Sequence, residues 1–120
     1  MLACGVDFIA IERIEAARER FGVRFLDRIF TPAEQAHCAG RPHSLAVRWA
    51  AKEAVGKALG CGIGDVRWQE IEVLTDARGA PTLRLYGAAA RLASERDLHQ
   101  WAVSLTHDNG QALAFVVAMG

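Results

Sequence analysis

Apolar and polar positions change their period twice along this chain. Leu2 to Ile11 is an apolar run broken by a single acidic charge, Asp7, and reads as a buried strand. Arg13 to Phe21 and Val23 to Phe30 follow as two short helices separated at Gly22. Thr31-Pro32 supplies a cap and a first-position proline, with Glu34 in the first turn, so a third helix starts there and ends near Gly40. The main helix is expected over Leu45 to Leu59, capped by Ser44 and stopped by Gly60 and Gly62.

The second half reads as strands. Glu70 to Thr75 and Thr82 to Tyr86 form a pair joined around Asp76-Ala77-Arg78-Gly79. Ala88 to Glu95 is helical. Trp101 to Thr106 alternates, with Trp101, Val103 and Leu105 on one face and Ser104 and Thr106 on the other. Asp108-Asn109-Gly110 is a hairpin signal, after which Ala112 to Met119 returns as a fully apolar central strand. The pattern predicts an α+β domain: an antiparallel-rich sheet packed on one long helix, with short helices near the N-terminus.

Composition narrows the class. At 120 residues and 52% hydrophobic, residues 1–120 make one domain able to bury a core of its own. Acidic and basic residues balance at 14 each, which argues against a general nucleic-acid binder. Cys4, Cys38 and Cys61 are odd in number, widely spaced and without a CxxC, so a reduced cytoplasmic protein is expected rather than a disulfide framework or zinc site. No secretory-type N-terminus is read, and the longest apolar run, Ala112 to Met119, is too short to span a bilayer. No membrane association is expected.

Charge usage then points to one segment. Arginine outnumbers lysine twelve to two, and both lysines, Lys52 and Lys57, flank Glu53 in the main helix. An ammonium is compact and can be deprotonated where a guanidinium cannot. With Arg48 at zero on a helical wheel, Lys52, Trp49, Glu53 and Lys57 fall at roughly 40°, 100°, 140° and 180°. Val47, Ala50, Ala51, Ala54 and Ala58 occupy the opposite half, a small-residue face suited to close contact with a sheet. The charged half is ordinarily a solvated face. The interleaved Leu45, Trp49 and Leu59 argue instead for partial burial.

A glutamate between lysines suits a metal–phosphate site, because a hard oxygen ligand stands beside cations that neutralise phosphate. Such sites commonly use a second carboxylate, and Asp7 is the candidate. An unpaired charge among Val6, Phe8 and Ile9 would be costly, although an arginine partner would relieve that cost equally well. Ser104, Thr106 and His107 offer hydroxyls and an imidazole suited to phosphate oxygens, or simply a polar outer strand face. His37, His43 and His99 lack ligand spacing and read as surface residues.

Taken in order, these segments resemble the holo-[acyl-carrier-protein] synthase family, the short 4′-phosphopantetheinyl transferases. The likeness rests on Gly5-Val6-Asp7 with Arg13-Ile14, and on Phe30-Thr31 with Glu34. It continues through Arg48-Trp49-Ala50-Ala51-Lys52-Glu53-Ala54 to Lys57-Ala58-Leu59-Gly60, then Gly79-Ala80-Pro81 and Val103-Ser104-Leu105-Thr106-His107-Asp108. Departures are mild. Ala10 stands where the family often has a polar residue, Trp49 where phenylalanine is usual, and Cys61 where a small hydroxyl residue is common.

The resemblance implies transfer of 4′-phosphopantetheine from coenzyme A to a serine of apo acyl carrier protein, releasing adenosine 3′,5′-bisphosphate. Asp7 and Glu53 would hold Mg²⁺, and Lys57 would stabilise phosphate charge. The base for the serine stays open between Glu53 and a water on the metal. Arg48, Lys52 and His107 would meet the nucleotide phosphates, with Ser104, Thr106 and Gly60 nearby and Trp49 on the adenine side. The arginine-rich Arg13 to Arg28 segment, especially Arg13, Arg20 and Arg24, would meet the acidic carrier. A homotrimer with coenzyme sites at subunit interfaces is implied as well. Two other classes compete: a non-catalytic module that binds coenzyme A or a carrier protein, and an assembly domain in which Glu53 merely pairs with Lys57.

Overall fold

Close approach between backbone and backbone sets the architecture. The computed structural model describes every residue, Met1–Gly120. In chain order the elements are β1 (Leu2–Ala10), α1 (Ile11–Phe21), α2 (Val23–Ile29), α3 (Pro32–Cys38) and α4 (Pro42–Leu59). A short 3-10 turn (Trp68–Glu70) leads into β2 (Ile71–Thr75), β3 (Pro81–Leu85), α5 (Gly87–Glu95), β4 (Gln100–Asp108) and β5 (Gln111–Met119).

Strands β1, β5 and β4 form an antiparallel sheet in that order, so β5 is central as its apolar run predicts. Its inner face is Ala112, Ala114, Val116 and Ala118, all fully buried, and α4 lies against them. Small residues on both partners let the helix sink onto the sheet. Gly5 marks the closest point: a Cβ there would sit 1.9 Å from the Ala54 carbonyl oxygen. No side chain fits at that position. Asp7 is two residues further along β1, and therefore on the same helix-facing side.

The β2–β3 hairpin is a separate two-stranded sheet, where the sequence pattern suggested one. With α3 it covers a further side of α4, so this helix is buried nearly all round. Residues Ser44 to Leu59 are buried apart from Trp49, Glu53 and Lys57. The wheel's charged half is therefore not a solvent face; it is mostly the interface to a second layer.

Turn chemistry follows the sequence closely. Thr31 Oγ1 accepts from the Glu34 amide at 3.2 Å while Glu34 Oε1 accepts from the Thr31 amide at 2.9 Å, a complete capping box. Asn109 and Gly110 both take positive φ, 50° and 73°, as a tight two-residue hairpin turn requires. The start of α4 needs correction. It begins at Pro42 rather than Leu45, with Arg41 as the flanking residue, and Ser44 is a buried residue inside the helix rather than its cap. Proline at the first helical position was the stronger start signal.

Candidate functional site

Three of the expected site residues converge. Lys57 Nζ donates to Asp7 Oδ1 at 3.1 Å and to the Val6 carbonyl at 2.9 Å. The Asp7 side chain is 18% exposed and that of Lys57 56%, so the pair opens to solvent through its lysine. Glu53, one helical turn before Lys57, faces the same place. Burial first, and the Asp7 charge second, push the Glu53 pKa above the ordinary carboxylate range, against the pull of Lys57. Two carboxylates and a lysine held this way leave Glu53 short of positive charge.

That shortage is what a divalent cation would relieve. The donor set is all carboxylate oxygen, the chemistry preferred by Mg²⁺. No cluster of three or more Asp, Glu, His or Cys side chains could hold a metal ion. A cation between Asp7 and Glu53 would thus draw its other ligands from water and phosphate, the usual magnesium arrangement. The residues fit the ion.

Glu53 also lines a cleft of about 550 Å³, shared with Arg28, Gly64, Arg67, Trp68 and Gln69. Two arginines and an indole thus share the cleft with Glu53, a suitable lining for a phosphorylated, partly aromatic ligand. Sequence reasoning missed Arg67, Trp68 and Gln69, which fall in the irregular stretch after α4. The available signal was an Arg-Trp pair just before a strand. The Trp49 ring lies tilted against that of Trp68, centroids 5.5 Å apart, so Trp49 packs on the cleft's indole.

Lys52 and Arg48 require correction. Lys52 is completely buried, and its ammonium is spent on Glu34 Oε1 at 2.7 Å and on the Ile71 and Trp68 carbonyls at 2.7 and 3.0 Å. Burial pushes the Lys52 pKa down, while Glu34 resists. The Arg48 guanidinium, also buried, donates to the Ser44 carbonyl and Thr75 Oγ1 at 3.1 Å each and to the Val73 carbonyl at 3.4 Å. Neither cation is free for a nucleotide phosphate, because each already meets acceptors from elements packed around it.

The remaining residues are spread out. Gly60 ends α4 with φ 74°, and a Cβ there would meet the Arg96 guanidinium at 2.4 Å, so its first task is stopping the helix. Ser104 and Thr106 are exposed on the sheet face away from α4, opposite to Asp7. His107 is at the far end of β4, its ring 4.7 Å from that of His43. Within one chain these three do not join the carboxylates. Arg13, Arg20 and Arg24 are exposed, and Arg24 lines a second groove of about 490 Å³ with Phe21, Phe25 and Ile29. Arg28 and Trp68 border both groove and cleft.

A sheet-backed helix thus carries Glu53 and Lys57 opposite a strand aspartate. The 4′-phosphopantetheinyl transferase superfamily matches over residues 3–116, and the chain belongs to it. Holo-[acyl-carrier-protein] synthases are its relatives: that of Herpetosiphon aurantiacus is 50% identical with both chains covered in full. The crystal structure of the Helicobacter pylori synthase in complex with coenzyme A matches with a TM-score of 0.88 at 32% identity, over 96% of this chain and 98% of that one. The Neisseria meningitidis synthase matches equally well, with a TM-score of 0.88 at 36% identity over 98% of each chain.

Proposed function

We propose that this chain is a holo-[acyl-carrier-protein] synthase, moving 4′-phosphopantetheine from coenzyme A to a serine of apo acyl carrier protein. The observation that carries this is the meeting of Asp7, Glu53 and Lys57, with Glu53 also lining a cleft that holds Arg28, Arg67 and Trp68. The relatives named above, one of them in complex with coenzyme A, support it. In the reaction the serine oxygen bonds to the phosphorus that bears the pantetheine arm. The bond from that phosphorus to the bridging oxygen breaks, and adenosine 3′,5′-bisphosphate leaves with the electron pair.

Asp7 and Glu53 would hold Mg²⁺, which when bound neutralises pyrophosphate charge. Lys57 is exposed enough to turn from Asp7 to a phosphate oxygen as charge builds on the leaving group. Arg28 and Arg67 receive phosphate within the cleft, and Trp68 provides an apolar surface. Arg24 lines the groove at Phe21 and Phe25 and Arg20 lies over the Phe21 ring, a combination suited, with the exposed Arg13 on α1, to an acidic, partly apolar carrier helix.

The same reading includes a homotrimer. Leu2, Val6, Phe8, Leu113, Phe115 and Met119 form an exposed apolar face on the outer side of the sheet, of the kind that marks an interface. Ser104 and Thr106 share that face, so an interface there would bring them against a neighbouring subunit. Three free cysteines suit a reducing, cytoplasmic setting, and no helix is long and apolar enough to cross a membrane.

The test is intact mass of apo acyl carrier protein after incubation with this protein, coenzyme A and Mg²⁺. A phosphopantetheine-sized gain abolished by EDTA is expected. No gain on several carriers, with coenzyme A still bound, would replace the transferase by a binding module.

A further inference from the structure

We propose that the buried Glu34–Lys52 pair is a positioning device that presets the cleft wall Arg67–Gln69, together with the strand that continues it to Val73, before any ligand arrives. This rests on the reading of the cleft as the coenzyme site.

The pair reaches the wall at one backbone point and the strand that continues it at two. Lys52 Nζ donates to the carbonyls of Trp68 and Ile71, and Glu34 Oε2 accepts from the Val73 amide at 2.8 Å. Glu34 Oε1 simultaneously receives Lys52 Nζ and the Thr31 amide. One ion pair thus ties α4 and the α3 cap to the start, middle and end of the segment carrying Trp68. Lys52 directly precedes Glu53 in α4, so the wall and the carboxylate are referred to the same helical turn.

Two outer contacts complete the arrangement. Gln69 Nε2 donates to the Phe30 and Asp27 carbonyls. Glu70 accepts from the Arg67 amide at 2.7 Å and from the Ala88 amide at 2.6 Å. These backbone contacts of Gln69 and Glu70 join the wall to the end of α2 and the start of α5. Stability alone does not require such a device, because a buried ion pair is commonly no better than a well-packed apolar pair. What an apolar pair cannot do is hold two carbonyls and an amide at fixed positions.

The test combines kinetics with amide exchange. Lys52→Met is expected to raise KM for coenzyme A about tenfold with a smaller change in kcat, since misplaced binding groups cost affinity before chemistry. Adding Glu34→Gln removes the stranded buried carboxylate, so the double variant should regain thermal stability while KM stays raised. Recovery of KM together with the melting temperature would reduce the pair to a structural role and overturn the proposal, as would a folded Lys52→Met enzyme with wild-type KM. If neither variant folds, hydrogen exchange on the wild-type protein decides. A slowly exchanging Val73 amide without coenzyme A supports a preset wall, and one that becomes protected only on adding coenzyme A refutes it. That readout needs no turnover, so a wild-type protein that loads no carrier would count against the functional reading alone.

Discussion

The two lysines of α4 stand five residues apart and meet opposite fates. Lys52 is sealed between layers with three acceptors around its ammonium; Lys57 is more than half exposed with one carboxylate and one carbonyl. Five residues turn a helix by roughly 140°, enough to send one charge into the second layer and the other to the edge of the sheet. A buried charge with every donor satisfied is committed to its neighbours. An exposed charge keeps the freedom to change partners, and that freedom suits a site where charge moves. The helix thus separates a region that fixes geometry from one that performs chemistry.

The largest effect should come from the chemical side. Glu53→Gln is expected to cut turnover about 100- to 1,000-fold, in the range for losing one preorganised electrostatic group. Thermal stability should hold or rise, because burial and Asp7 already disfavour the Glu53 charge. Carrier loading by mass and a melting curve measure both. Full turnover in a folded Glu53→Gln protein would remove this residue from the chemistry.

On the geometric side the expected loss is stability. Lys52→Met leaves Glu34 as a lone buried carboxylate, a type of change that costs about 3–5 kcal/mol. Lys57→Ala, by contrast, removes a pair of the exposed class worth about 0–1 kcal/mol while turnover falls. Denaturant unfolding of the two variants side by side would break the comparison if their stability losses were equal.

How much of this contrast was legible in the sequence depends on how many partners each feature needed. The Thr31–Glu34 capping box and the Asn109–Gly110 turn depend on residues within a few positions, and both were readable. Asp7 stood out because it interrupts an apolar neighbourhood, a cost that demands a reason, and Glu53 because it stands between the two lysines. The wheel placed Lys52 and Lys57 on one charged half but carried no information about the β2–β3 layer that covers part of it. Burial of Lys52 depends on carbonyls sixteen and nineteen residues away, which periodicity within one helix does not report. Ser104 and Thr106 show the reverse failure. Their alternation with Trp101, Val103 and Leu105 already assigned them to the face away from the core, so their distance from Asp7 within the chain was implicit in the pattern.

Acid separates the two regions with the smallest expected effect and the clearest sign. Glu70 accepts the Arg67 and Ala88 amides; the Arg67 amide chiefly holds its pKa below the ordinary carboxylate range, burial opposing. A depressed folded pKa contributes stability that is present above the unfolded value and lost as pH falls through the folded one. Glu53 behaves oppositely, since its folded pKa is raised and its charge opposes folding at neutral pH. Protonation relieves that opposition as pH falls through the raised value toward the unfolded one. Glu70→Gln should therefore be less stable than wild type at neutral pH and converge with it once the pH drops below the lowered Glu70 value. Glu53→Gln, without added metal, should be more stable at neutral pH and converge earlier, at the ordinary carboxylate range. Melting temperatures of both variants from pH 7 downward, each plotted as a difference from wild type, would show two curves of opposite sign. Curves of the same sign would mean that the wall and the carboxylate edge are not electrostatically distinct.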